Sequence, residues 1–382
     1  MTSTQRVHGA LSYSLRTDKV QLWVTQDGGQ LAPVVFLHGA RRVQPFSIAP
    51  WCEEAEARKL PVILRVLRGD FFCLPFGGNE KPFRGERHPL HGETANGRWN
   101  KVAQKSERGL RVLGLSLRTR IRKGRVDKEI VLDPSHHVVY QRHTIRGMKG
   151  PMCYGHHAML QFPAREGCGL LSTSRFVVGR TAPRRFEDPP SGGYSLLSRD
   201  AEFGSLQRVP TTTWDNVDLS VYPARRGFED LVQVVHDPTS EHAWFAVSFP
   251  RERHVWFSVK NPRVLSGTVL WFSNGGRHYP PWNGRHVGVL GVEDVTSFFH
   301  YGLAESAAPN PFSERGLRTS VNLDPDRPHV VPYAFACVSI PARFDRVAEL
   351  HRSDDGKKAV LLSTSGKRVS VPFDWGFLEH DV

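Results

Sequence analysis

Wherever a period can be read along this chain, it is two. From Arg111 to Ile121 the apolar residues Leu113, Leu115, Leu117 and Ile121 alternate with small or charged ones. Lys123-Gly124 then supplies a turn, and a second apolar run follows from Val126 to Leu132. Alternation of this kind puts one face of a strand on a core and the other in water, so the spacing predicts two neighbouring strands. Strand-like runs recur at Val138 to Ile145, Leu170 to Val178, Leu231 to Val235, Trp244 to Phe249, His254 to Val259 and Val269 to Phe272. Near the end, Ala359 to Leu362 and Arg368 to Val371 flank Ser363-Thr364-Ser365-Gly366-Lys367, a loop of hairpin length. Helical spacing is confined to Arg58 to Arg65 and Asp345 to Arg352. The pattern predicts an all-β protein, a large antiparallel β-sandwich with few short helices, as one domain over residues 1–382.

Composition supports this reading. The 34 glycines and 27 prolines are spread along the chain, as many short strands joined by turns require. Hydrophobic residues at 39% and charged residues at 23% exclude wholesale disorder. Cys52, Cys73, Cys153, Cys168 and Cys337 are widely spaced without a C-x-x-C pair, which argues against a disulfide framework or a zinc site. The start, MTSTQRVHGALSYSL, lacks a basic then apolar secretory signal, and no apolar stretch reaches the ~18 residues that span a bilayer. A cytoplasmic protein without a membrane partner is expected. Lysine and arginine exceed aspartate and glutamate by 51 − 38 = 13. Arg118, Arg120 and Arg122 fall on alternate positions, which reads as a solvated sheet face, and no nucleic-acid-binding signature occurs, so no nucleic-acid partner is expected.

Three segments concentrate polar, reactive residues among glycine, proline and aromatics. One is Phe76 to Glu93, with Arg84, Arg87, His88 and the pair His91-Gly92. Another is Met152 to Leu160, with His156-His157, and the last runs from Trp271 through Arg277 and Trp282 to Glu293-Asp294. Adjacent residues of a strand face opposite ways, so only one of His156 and His157 can line a given site. His88, His91, Glu93, His156 and His157 are the residue types of a metal site, but that opposed facing counts against one, and no metal is expected.

At these residues the chain resembles the aldose 1-epimerase (galactose mutarotase-like) superfamily. In that family a His-Gly pair follows a loop bearing glycine and arginine, a second histidine opens a strand, and a late glutamate follows a short apolar strand. The resemblance implies the galactose mutarotase-like supersandwich fold, a small-molecule sugar partner and no cofactor. It places His91, His157 and Glu293 in the catalytic positions, and Arg84 or Arg87 in that of the sugar-binding arginine. His156, Trp282 and an aspartate among Asp215, Asp218 and Asp230 are further candidates for contact with the sugar. Asp294 stands where a proline is common, and Glu93 where an apolar residue is usual.

Interconverting anomers takes a proton from the C1 hydroxyl and gives one to the ring oxygen, so one base and one acid suffice. A carboxylate partly desolvated beside Val292 and Val295 suits the base, and a histidine suits the acid. Glu293 is therefore expected as base and His157 as acid, with His91 polarising the sugar. A carbohydrate-binding or sensing protein without catalysis, and a lyase or hydrolase on the same sandwich, are the competing expectations, because fold alone does not fix function.

Overall fold

Alternation is realised as antiparallel ladders. In the computed structural model, which describes residues 4–213 and 215–379, Leu110–Thr119 pairs with Gly124–Leu132, and that strand with Val138–Arg146. All three belong to a nine-stranded sheet whose middle is His254–Lys260 and His329–Ser339 and whose edge is Asn100–Glu107. A second sheet of eight strands is built around Phe176–Thr181, Glu229–His236, Gly267–Ser273 and Val289–Thr296, then Tyr154–His156 and Phe72–Cys73. The two sheets face each other across one core, with Leu113, Ile130 and Phe335 from the first meeting Val232, Leu270 and Val292 from the second. Each such side chain, taken fully out of water, contributes ~1.5–3 kcal/mol before entropy is charged against it.

Further layers close the ends. An amino-terminal five-stranded sheet, Gln5–Val7 to Arg41–Val43, adds Leu22, Val34 and Phe36 to the same core. A carboxy-terminal meander of Val347–Arg352, Lys358–Ser363 and Arg368–Pro372 covers the other face of the nine-stranded sheet, where Leu361, Val371 and Trp375 join Phe257 and Ala336. Among the described residues no helix is long and apolar enough to cross a membrane.

Two expectations about elements need correction. Asp345 to Arg352 is not a helix: Val347 and Leu350 lie three apart because a bulge between Val347 and Glu349 shifts the alternation by one residue and returns both to the buried face. Leu170 to Val178 is two strands, Gly169–Thr173 in the nine-stranded sheet and Phe176–Thr181 in the other, so the chain changes layer at Ser174-Arg175. Arg58 to Arg65 keeps its helical character only in pieces, since Pro61 separates a 3-10 turn at Ala55–Lys59 from a single α turn at Val62–Arg65.

The outer face of the eight-stranded sheet carries a second apolar cluster that includes Leu231, Val269, Trp271 and Val295. Loops and the turn at Val62–Arg65 cover it, and His91, His157 and Glu293 converge there.

Candidate functional site

Strand register brings the histidine and the glutamate together. Tyr154 pairs with Thr296, Gly155 with Val295 and Ala158 with Val292, a single register that sets His157 directly opposite Glu293. Opposed residues share a face, and His157 Nε2 lies 3.3 Å from Glu293 Oε1. Alternation sends Val292 into the sandwich core and Glu293 to the outer face. Gly291 leaves the space the carboxylate occupies: a Cβ there would lie 2.8 Å from Glu293 Oε1 and 3.0 Å from the Trp271 Cβ. The His157 ring stacks on Phe71, with centroids 4.6 Å apart.

His91 arrives from a loop. Its ring stands edge-on to His157 at 4.9 Å, and its Nδ1 accepts the Gly77 N–H at 3.2 Å. The turn that delivers it depends on Gly92, whose φ is +75° and whose added Cβ would lie 1.9 Å from the Leu74 carbonyl oxygen. Gly92→Ala is therefore expected to destabilise the fold by at least ~2 kcal/mol and to displace His91. Gly85→Ala, in the same loop with open space around it, should carry only the left-handed backbone cost of ~1–2 kcal/mol. Urea unfolding of the two variants checks the contrast, and equal losses would contradict it.

A cavity of about 140 Å³ lies over the pair, and its polar lining is His91, His157, Glu293, His300 and Arg277. The Arg277 guanidinium sits 4.6 Å from the ring centre of Trp282, 5.1 Å from Trp271 and 5.2 Å from Phe186. Its Nε donates to Glu187 at 2.6 Å, and Glu229 is 4.0 Å away. Glu229 is itself held by Trp271 Nε1 at 2.8 Å, Ser273 Oγ at 3.0 Å and the Gly276 N–H at 3.2 Å.

Burial sets the protonation of these groups. It pushes the Glu293 carboxyl well above the usual carboxylate range, against a smaller pull from Arg277. It lowers His157 to about 4, His300 to about 3, and His91 well below the ordinary imidazole value. Desolvation disfavours both charged forms, so burial favours a neutral imidazole beside a carboxylic acid over an ion pair. Burial likewise raises Glu229 to about 7.

No model of a known protein family matches the chain, and no curated protein matches it by sequence. Solved structures do. A galactose mutarotase related enzyme from Lactobacillus acidophilus superposes with a TM-score of 0.54 at 10% identity, over 86% of this chain and 98% of its own. A galactose mutarotase-like protein from Clostridium acetobutylicum gives 0.52 at 9% identity, over 88% and 98%. The Slr1438 protein from Synechocystis sp. PCC 6803 gives 0.56 at 13%, over 89% and 98%. The chain has the galactose mutarotase-like fold.

On this mutarotase-like scaffold His91, His157, Glu293 and Trp282 line one cavity, and the other residues expected at the sugar do not. Arg84 and Arg87 are exposed, because the short bridge between Phe83 and Glu86 turns the loop tip into solvent. His156 faces the sandwich interior, bonded to Asp70 at 3.1 Å and stacked on Tyr333 at 4.0 Å. Asp230 is buried but accepts the backbone N–H groups of Leu196 and Leu197, each at 3.0 Å. Asp218 is exposed and caps Ser220, and Asp215 is exposed as well. The possible metal set is dispersed too: His88 pairs with Glu86 at 2.9 Å, and Glu93 accepts the N–H groups of Arg120 and Ile121. Arg277 and His300 are cavity residues that sequence reasoning did not place there. For Arg277 a signal existed, since it lies between Trp271 and Trp282 in the aromatic segment. For His300 we find none.

Proposed function

We propose that the cavity binds a free aldose and interconverts its anomers by cofactor-independent proton transfer between the sugar, Glu293 and His157. The observation that carries this reading is the cross-strand pair on the cavity wall, a carboxyl and an imidazole whose nearest atoms lie 3.3 Å apart, each pushed by burial toward its neutral form. Ring opening needs both at once. The C1 hydroxyl loses its proton, the C1–ring oxygen bond breaks, and the ring oxygen gains a proton, which leaves an open-chain aldehyde and alcohol. Rotation about C1–C2 and the reverse transfer close the ring on the other face. Because burial favours the protonated carboxyl and the neutral imidazole, Glu293 would donate to the ring oxygen and His157 would take the hydroxyl proton in the opening step. This reverses the assignment expected from sequence, and ring closure swaps the roles back. Trp282 would pack on the C–H face of the sugar, while His91, His300 and Arg277 would meet hydroxyls.

The protonation states fix a pH profile. As pH falls through about 4, His157 gains a proton and the pair loses its base. As pH rises through the raised carboxyl value of Glu293, the pair loses its acid. A plot of kcat/KM against pH should therefore stay high down to about pH 4, and an acid limb near the free imidazole value of ~6.5 would contradict a buried neutral His157. The reading itself is tested by screening free aldoses by thermal shift and following the best ligand by NMR saturation transfer between its anomer signals. Faster anomer exchange supports it. Binding without acceleration would make the chain a sugar-binding protein instead.

A further inference from the structure

Resting on that reading, we infer that the ligand is a neutral monosaccharide poor in hydroxyls, a 6-deoxyaldohexose, whose methyl group packs on the aliphatic part of the cavity wall. Charge is the first ground. Among the described residues Arg277 is the one cation that lines the cavity, and Glu187 already occupies its Nε at 2.6 Å with Glu229 at 4.0 Å. Arg285, three residues beyond Trp282, is bound by Glu54 at 2.8 Å. A phosphate or carboxylate entering here would leave water without an uncommitted cation to meet it.

Hydrogen-bonding capacity is the second ground. Ile63, Leu64, Leu67, Leu90 and Leu231 line the cavity and offer no polar side-chain atom. Of the polar groups, Trp271 Nε1 is held by Glu229 and His91 Nδ1 by the Gly77 N–H. If Glu293 and His157 serve the ring oxygen and the C1 hydroxyl, the remaining hydroxyls have His300, the other nitrogen of His91, Trp282 Nε1 and the rest of the Arg277 guanidinium. A hydroxymethyl group set against leucine would be desolvated without a partner, whereas a methyl group there gains contact. The wall is also fixed, because Trp51 Nε1 donates to the Leu64 carbonyl at 2.8 Å and anchors the turn at Val62–Arg65.

Size is the third. At about 140 Å³ the cavity falls below the ~300–1,000 Å³ of sites for drug-sized ligands, so it suits one sugar ring and not a chain of them.

The test is calorimetric titration of the full chain with matched pairs: L-fucose against L-galactose, L-rhamnose against L-mannose, and 6-deoxy-D-glucose against D-glucose, with D-glucose 6-phosphate added. Within at least one pair the deoxy sugar should bind about ten- to a hundredfold tighter, and the phosphate should not bind. Leu64→Asn, which supplies a partner for the extra hydroxyl, should narrow that ratio; should the variant not fold, the wild-type ratios decide. If the parent hexoses or the phosphate bind as tightly as the deoxy sugars, and anomer exchange is still accelerated, the inference is wrong while the anomer-exchange reading stands. If none of these sugars binds, both fall.

Discussion

Glu293→Gln should lower anomer exchange by ~10²–10⁴-fold, the usual worth of a positioned acid–base group, while leaving the fold and sugar binding in place. Glutamine keeps the shape of the side chain and can still meet His157, but it has no proton to release. The same variant should be more stable than the parent at neutral pH. A carboxyl whose folded pKa is raised binds a proton in the native state that it has lost in the unfolded chain, so its contribution to stability falls as pH rises above the unfolded value of ~4.5. The stability advantage of the glutamine should therefore be small at pH 4 and grow by up to ~1.4 kcal/mol per pH unit above pH 4.5, until the folded pKa is reached. Urea unfolding at pH 4 and pH 7 measures this. An activity loss without that pH-dependent gain would mean that Glu293 is not held protonated by burial.

The second large effect belongs to Arg277. Arg277→Met keeps much of the packing against Trp271, Trp282 and Phe186 but leaves Glu187 and Glu229 without their cation. Breaking one side of such a mostly buried pair costs about 3–5 kcal/mol. Glu229 already stands near 7 with Arg277 beside it, and without that charge its pKa should climb further. The loss should therefore be larger at pH 8 than at pH 6, where Glu229 escapes by holding its proton. Arg277→Met with Glu229→Gln should recover part of the stability at pH 8. Chemical denaturation at the two pH values reads both effects, and no recovery in the double variant would mean that Glu229 is not the group left exposed to the imbalance.

Alternation made the sandwich legible, because Leu113, Leu115 and Leu117 on one strand and Val126 and Ile130 on the next can bury one face only as paired strands. The same rule predicts that one of His156 and His157 must face away, and it is His156 that turns to Asp70 in the sandwich interior. Where the rule breaks, the reading breaks with it. The bulge after Val347 imitates a helix, and nothing local in the sequence announces an extra residue.

The His157–Glu293 pair was legible through strand pairing, and His91, which stands on a loop, through its likeness to the family's His-Gly pair. His157 and Glu293 meet through strand register, which follows from pairing. Arg84, Arg87, Asp218 and Asp230 are candidates by resemblance, but the partners of a loop residue such as Arg84, and of Asp230 on the strand Glu229–His236, are decided by tertiary packing. Arg84, at φ +49°, sits at an exposed tip, and Asp230 serves two backbone N–H groups. Arg277 reaches the cavity because Glu187, 90 residues earlier, bonds to its Nε, a contact that no local spacing encodes.

The most direct measurement is a crystal structure of the wild-type chain soaked with the tightest-binding aldose of the panel. The ring oxygen should lie within ~2.6–3.2 Å of Glu293 and the C1 hydroxyl within the same reach of His157, with the sugar's C–H face on Trp282. A sugar bound outside this cavity, or inside it with C1 turned away from both side chains, would contradict the proposed chemistry.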